Sequence, residues 1–364
     1  MFAKKFLIIL LITVISLTAC APQPAPKPTD TQAPPVTATV TATVVSSPTL
    51  VATASPTPLP NPFAGNTSWI AYQTNRSGSE SVWLIHPDGT ENHQIDAKFK
   101  TVLLPDWSPD GKHLVVTSRG GETEPLYEYD LVTETLRQLF ECKDPCLGDD
   151  NPAYSPDGTK VAFTRALLPI VHNDAIGDDV PSDCGIWIGD VATGEVNHIT
   201  SNTNPPCDRE YYPRWSPDGS QFVYFRDPYE NGKPTGTALY VMNIDGSGER
   251  QLTDPADFGG MPDWSPDGKW IVFDTFGLTE FNFEPKVSNL YRIHPDGTGL
   301  EQLTFNTSTG LRATQPHYTP DGKWIVFTAV RSSKMIGRSL WAIPAQGGKP
   351  IVIVRGGTHP TWQP

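Results

Sequence analysis

Positive charge is scarce in this chain: 27 lysines and arginines stand against 40 aspartates and glutamates, a formal net charge of −13 over 364 residues. Nucleic acid and anionic lipid are held through neutralised phosphates, so so large an excess of acid makes both unsuitable partners. Long apolar runs are scarce too. The run from Phe6 to Ala19 has 14 residues, short of the about 20 that cross a bilayer. No Gly-x-Ser-x-Gly elbow occurs, which removes the nucleophile turn of an α/β-hydrolase. The eight histidines are scattered, and no Ser/His/Asp or paired-carboxylate constellation can be assembled from their spacing.

What the chain does have is a recurring phrase. Pro105-Asp106-Trp107-Ser108-Pro109-Asp110-Gly111 returns as Pro152-Ala153-Tyr154-Ser155-Pro156-Asp157-Gly158, Pro213-Arg214-Trp215-Ser216-Pro217-Asp218-Gly219, Pro262-Asp263-Trp264-Ser265-Pro266-Asp267-Gly268 and Pro316-His317-Tyr318-Thr319-Pro320-Asp321-Gly322, with a last fragment, Pro360-Thr361-Trp362. The leading prolines are 47, 61, 49, 54 and 44 residues apart. That is the period of a four-stranded propeller blade. Within a copy, Pro presets φ for a tight turn and Gly takes the left-handed position that a β-carbon would penalise. An alternating run such as Lys323-Trp324-Ile325-Val326-Phe327 then reads as a second strand, Leu239-Tyr240-Val241-Met242-Asn243 as a third, and Gln251-Leu252-Thr253 as a short fourth.

The large aromatic after each leading proline reads as core between blades, because such side chains dominate buried area. Arginines close the second strands (Arg76, Arg119, Arg165, Arg226, Arg331) and read as structural ion-pair partners. The first blade, beginning at Ser68-Trp69-Ile70, lacks an innermost strand, and the C-terminal His359-Pro360-Thr361-Trp362 can supply it. The expectation is an all-β, six-bladed propeller closed by its C-terminal strand, which removes exposed sheet edges.

The tandem Pro-x-Trp-Ser-Pro-Asp-Gly copies, with Leu239-Tyr240-Val241-Met242-Asn243-Ile244-Asp245-Gly246, resemble the repeats of TolB-type six-bladed propellers, a branch of the WD-like superfamily, over residues 66 to 364. TolB itself carries a mixed α/β domain ahead of its propeller, where this chain has a Pro/Thr-rich stretch. Other relatives are peptidase propellers, which work with a fused α/β-hydrolase domain. Some oligogalacturonate lyases use the same propeller with a His- and Gln-ligated metal. The resemblance therefore implies the fold and leaves several functions open.

Lys4 and Lys5 followed by the short apolar run read as a signal peptide, and Leu17-Thr18-Ala19-Cys20 resembles the bacterial lipobox, in which Cys20 is diacylated. Residues 20–62 are mostly Pro, Thr, Ala, Val and Ser and cannot build a core, so they read as a disordered, semi-rigid spacer. The organisation expected is signal peptide 1–19, lipidated linker 20–62 and propeller 63–364: an exported bacterial lipoprotein on the cell or outer membrane, its propeller extracytoplasmic and monomeric. Four further cysteines, Cys142, Cys146, Cys184 and Cys207, suggest two disulfides in an oxidising compartment. Cys142–Cys146 and Cys184–Cys207 are the favoured pairings of three, and a four-thiolate zinc site is the alternative.

Insertions gather on one face of the expected ring. They are Arg165 to Cys184, with Leu167, Leu168 and Ile170; Asp227 to Thr237, with Tyr229; and Phe276 to Ser288, with Phe281 and Phe283. Long loops with apolar residues on a rigid scaffold are where binding usually resides. The position after each leading proline should line the axial channel, giving Asp106, Ala153, Arg214, Asp263, His317 and Thr361, with Gln315 and His359 near one mouth. Imidazole and carboxylate suit a divalent cation, so a channel metal serving a lyase-like carbohydrate-active enzyme is the alternative function. The leading expectation is noncatalytic: a membrane-anchored module without cofactor that binds an envelope or extracellular protein, or a glycan or peptide, through its loop-rich face. The lipobox reading predicts that Cys20→Ser moves the protein from the membrane fraction to the soluble one. Mass spectrometry showing an unmodified Cys20 in the membrane-extracted wild type would remove that reading.

Overall fold

The computed structural model describes residues 61–96, 101–173, 178–200, 209–227, 229–230, 233–234, 236–255, 259–275, 287–306, 311–331 and 337–364, all within one compact unit, Leu59–Pro364. Among them there is no helix, and six four-stranded antiparallel sheets follow one another as blades. From the centre outwards, blade two is Thr101–Trp107, His113–Arg119, Leu126–Asp130 and Thr135–Gln138. Blade three is Cys146–Tyr154, Lys160–Asn173, Asp178–Asp190 and Val196–His198. Blade four is Arg209–Trp215, Gln221–Asp227, Ala238–Asn243 and Arg250–Gln251, and blade five is Gly260–Trp264, Ile271–Asp274, Leu290–Ile293 and Glu301–Gln302. Blade six is Leu311–Tyr318, Trp324–Arg331, Arg338–Pro344 and Ile351–Arg355.

Blade one takes its inner strand from the other end of the chain. Thr358–Trp362 pairs antiparallel with Ile70–Thr74, in register Ile70↔Trp362 and Ala71↔Thr361, ahead of Ser81–Ile85 and His93–Gln94. Gln363 locks the join on two sides: its side-chain oxygen accepts from Trp69 N at 2.9 Å, and its Nε2 donates to the carbonyl of Gly111 in blade two at 2.7 Å.

The Ser-Pro-Asp-Gly turns are wired identically in each copy that has them. In blade two Ser108 Oγ donates to Asp110 Oδ1 at 2.5 Å and accepts from His113 N at 3.0 Å, while Gly111 sits at φ 66°. The hydroxyl and carboxylate thereby satisfy amides that a two-strand turn would leave unpaired.

Each blade buries its faces against its neighbours, and six apolar clusters lie one at each blade–blade boundary. The closing boundary brings Ile70 and Tyr72 of blade one against Val326 and Leu340 of blade six, with Trp362 between them. Phe63, ahead of the first strand, adds its ring 5.2 Å from both Trp324 and Trp362. All six aromatics that follow the repeat prolines are buried, as core between blades requires.

The insertion from Arg165 to Cys184 is more ordered than a loop. The second and third strands of blade three run on past the blade as a hairpin, with Leu167 opposite Asp183 and Ile170 opposite Pro181. The cause is an inner strand that extends with them, Cys146 pairing with Leu167 and Gly148 with Ala166. Tyr229 lies on a two-stranded ribbon with Lys233–Pro234. Cys20, Cys207, Phe281, Phe283 and the linker ahead of Asn61 lie outside the described residues.

If the ring depends on its closing strand, Trp362→Ala should cost about 3–5 kcal/mol, as for other buried aromatics cut to alanine. Removing Thr358–Pro364 should give an aggregating protein, since it opens sheet edges on both sides of the break. Chemical denaturation with the unfolding midpoint unchanged in both variants would contradict this closure.

Candidate functional site

Every inner strand carries the same irregularity. Between Leu103 and Asp106, Asp150 and Ala153, Tyr211 and Arg214, Gly260 and Asp263, and Thr314 and His317, three steps along the inner strand face two along its partner. The same one-residue excess falls in the closing strand between Thr358 and Thr361. At each bulge the residue before the proline is left-handed: Leu104 (φ 51°), Asn151 (53°), Tyr212 (54°), Met261 (41°), Gln315 (57°) and His359 (50°). None is glycine, so each is a strained conformation of order 1 kcal/mol or more that the surrounding ladder must impose. The bulge turns these six side chains onto the axis.

The axis is divided in two. The six left-handed residues line a narrow space of about 30 Å³, room for little more than one water. On the side of the Ser-Pro-Asp-Gly turns a larger cavity of about 280 Å³ is lined by Asp106, Asp263, Ala153 and the repeat aromatics. Arg214, His317 and Thr361 border both spaces and form the waist between them. The candidate ligands expected around one tunnel are therefore separated: Gln315 and His359 belong to the narrow space, Asp106 and Asp263 to the wider one.

In the narrow space the donors and acceptors already answer one another. Gln315 Oε1 accepts from Thr328 Oγ1 at 2.6 Å and from His359 N at 3.0 Å, which fixes its amide so that Nε2 points at His359 Nε2, 2.7 Å away. His359 Nε2 also lies 3.2 Å from the Tyr212 hydroxyl. Two donors aimed at one ring nitrogen require it to be the lone-pair acceptor, so His359 is neutral with its proton on Nδ1, toward Thr358 Oγ1 at 3.3 Å. Burial above all, then the positive charges of Arg338 and Arg214, push its pKa down to about 3.

In the wider space the carboxylates act as clasps between blades. Asp106 Oδ2 accepts from Tyr154 N of the next blade at 2.9 Å, and Asp263 Oδ2 accepts from Tyr318 N at 2.8 Å. Arg214 Nη1 reaches across the ring to Asp106 Oδ1 at 3.0 Å. His317 Nδ1 lies 3.0 Å from the Tyr318 carbonyl and 3.7 Å from Asp263 Oδ2, and its Nε2 is 3.4 Å from Thr361 Oγ1.

Three of the strand-end arginines are ion-pair partners. Arg165 meets Asp149 twice, at 2.6 and 2.9 Å, and both are buried. Arg119 joins Asp150 of the next blade at 2.6 Å, and Arg226 joins Glu210 at 2.5 Å. Arg76 instead donates to the Arg355 carbonyl and lies over the Trp83 ring, and the side chain of Arg331 is outside the described residues.

On the rim, Leu168 and Ile170 are exposed on the blade-three hairpin, while Leu167 is half-buried at its base. Cys142 and Cys146 are disulfide-bonded beside that base, and Cys184 is in a disulfide too. The one metal-like group of described residues, Cys142, Cys146 and Asp149, contains this bonded pair, so its sulfurs are not free thiolates.

Sequence reasoning singled out Gln315 and His359 and missed Tyr212, Asn151, Leu104 and Met261, which share their ring. The signal was present: all six directly precede a repeat proline. A residue before proline is ordinarily extended, and that rule points away from a left-handed bulge.

The family described as PD40, the TolB beta propeller domain, matches residues 181–336. An uncharacterized protein of Agrobacterium fabrum is 27% identical over 233 residues, covering 62% of this chain and 64% of its own length. The chain thus spans just under two thirds of that relative. Among solved structures, TolB from Acinetobacter baumannii superposes with a TM-score of 0.62 at 19% identity, over 82% of this chain and 67% of that one. An oligogalacturonate lyase in complex with manganese gives 0.54 at 17% identity, over 78% and 73%. The ring is a six-bladed β-propeller that is similar to the TolB beta propeller domain over residues 181–336. Identities this low carry the fold and leave the ligand open.

The neutral His359 makes a pH prediction. Its folded pKa lies below the ordinary 6.5, so the unfolded chain takes up a proton first and acid favours unfolding. The contribution is complete above about pH 6.5 and is lost as the pH falls toward about 3. Denaturation of His359→Gln should show a flatter decline than the wild type over that window, and parallel curves would contradict a neutral buried imidazole.

Proposed function

We propose that this protein is a noncatalytic binding module that engages an envelope or extracellular protein through the face bearing the blade-three hairpin, held at the membrane by the lipid on Cys20. One observation carries the reading: two exposed aliphatic side chains, Leu168 and Ile170, stand on a hairpin continuous with the rigid second and third strands of its blade. The hairpin base is fixed by the buried Arg165–Asp149 pair, by the Cys142–Cys146 disulfide and by Leu168 N donating to the Pro145 carbonyl at 2.7 Å. An apolar anchor on a rigid base loses little entropy when it docks, which is where binding energy concentrates. The acidic surface and the paired structural charges agree with a protein partner rather than nucleic acid.

The manganese-bound lyase makes a metal enzyme the competing reading for the channel. The hydrogen bonds among the residues there weigh against it. His359 presents its Nε2 lone pair to the Gln315 amide and the Tyr212 hydroxyl, Gln315 spends its oxygen on Thr328 and the His359 backbone, and the space between them holds about 30 Å³. A cation there would have to break four hydrogen bonds before it gained a ligand set.

Leu168→Asp with Ile170→Asp should weaken capture of the partner by at least about tenfold while leaving the unfolding midpoint unchanged, because surface changes rarely exceed 0.5 kcal/mol. Photocrosslinkers at Leu168 and at Thr193, on the opposite face, should give adducts at the first position alone. Crosslinking confined to Thr193, or a stoichiometric metal whose loss in His359→Ala removes an activity on oligogalacturonides, would replace this reading with the other.

A further inference from the structure

The cavity on the tight-turn face has no part in the rim reading, and its two carboxylates are unequally bonded. Asp106 and Asp263 occupy equivalent positions, three blades apart, and each spends Oδ2 on the backbone N–H of the next blade's tyrosine. Their second oxygens differ. Asp106 Oδ1 is answered by the Arg214 guanidinium at 3.0 Å, whereas Asp263 Oδ1 makes no hydrogen bond with a described residue. The basic side chain nearest Asp263 is His317, whose Nδ1 is 3.7 Å from the oxygen already in use and 3.0 Å from the Tyr318 carbonyl. Asp263, 8% exposed at the wall of a cavity of about 280 Å³, thus keeps one carboxylate oxygen that no described residue hydrogen-bonds. Trp215, Trp264 and Trp362 line the same cavity, and an indole attracts a cation that settles over its face.

We propose that this cavity binds a small organic cation, an ammonium group that neutralises Asp263 and packs against the indoles. The protein contains its own precedent, since Arg214 makes this contact with Asp106 across the same ring. The volume admits a compact ligand of a few carbons and leaves no room for a folded domain. Arg214, with its positive charge at the waist, sets the depth to which the ligand enters and disfavours a dication. An anion would meet Asp263 first and is rejected.

The test uses choline and its uncharged isostere, 3,3-dimethyl-1-butanol, which differ in charge and hardly in shape, with calorimetry on the intact mature protein. Choline should bind with one site, in the micromolar to millimolar range, and the alcohol at least about tenfold more weakly. Asp263→Asn keeps an oxygen for Tyr318 N while removing the charge, so it should lower choline affinity at least about tenfold with the fold retained. Should that variant unfold, the choline-to-alcohol ratio in the wild type decides alone. Equal binding of the two, no choline binding at millimolar concentration, or full affinity in a folded Asp263→Asn would each overturn the proposal. None of these outcomes touches the hairpin, so the two readings fail independently.

Discussion

The left-handed bulge before each repeat proline is the constraint on which the molecule turns. An inner strand without it would alternate regularly, so the residues before and after the proline would share one face of the blade and the aromatic beyond them would take the other. The inserted residue resets that alternation. It sends the left-handed side chain onto the axis, places the residue after the proline in the channel wall, and drives the aromatic beyond it into the boundary between blades. Proline suits the position after the bulge because its missing N–H removes a donor that the disrupted ladder could not satisfy. Six residues in disfavoured backbone regions are tolerated because the ladder on one side and the ring on the other over-determine them.

From that geometry follows how the blades hold together. An indole placed in the boundary can reach the channel-wall carbonyl of the preceding blade, as Trp107 does to Thr361 at 3.2 Å, Trp215 to Ala153 at 3.0 Å and Trp264 to Arg214 at 3.2 Å. A tyrosine there has no such N–H. In the two blades that carry tyrosine, three and six, the preceding blade supplies an aspartate, Asp106 or Asp263, which takes the tyrosine's backbone amide instead. Aspartate and tyrosine are therefore paired across blade boundaries as alternatives to tryptophan. This accounts for two channel carboxylates in structural terms, and it also isolates what is left over, one oxygen on Asp263 that no described residue hydrogen-bonds.

Architecture was legible because the repeat phrase combines turn chemistry and a buried aromatic at one spacing, and a single-residue register error would put that aromatic in solvent. Closure was legible for the same reason, since Pro360-Thr361-Trp362 has the grammar of an inner strand and no strands after it. The site was read less well. Position in the phrase placed Asp106, Arg214, Asp263 and His317 on the axis, but nothing local to those residues says which oxygen is bonded to a backbone amide in another blade about 50 residues away. Likewise, Arg165 to Cys184 reads as a loop because Asp178, Asp179 and Pro181 disfavour strand. The pairing of Cys146 and Gly148 with its base overrides that propensity, a tertiary effect that no window of the sequence contains.

The waist of the channel keeps the two faces chemically separate. Arg214 reaches across to Asp106, and His317 with Thr361 fills the other side, so a ligand entering from the tight-turn face meets a charged barrier before the ring of left-handed residues. The blades are joined at six apolar boundaries, and a displacement of one inner strand would have to shear two of them while breaking its aspartate or tryptophan clasp. Packed interfaces of this kind resist small graded shifts. Communication between a cation at Asp263 and a partner at Leu168 would therefore require a discrete rearrangement of the inner strands, and the ring as built supplies two independent surfaces on one rigid support rather than a single coupled site.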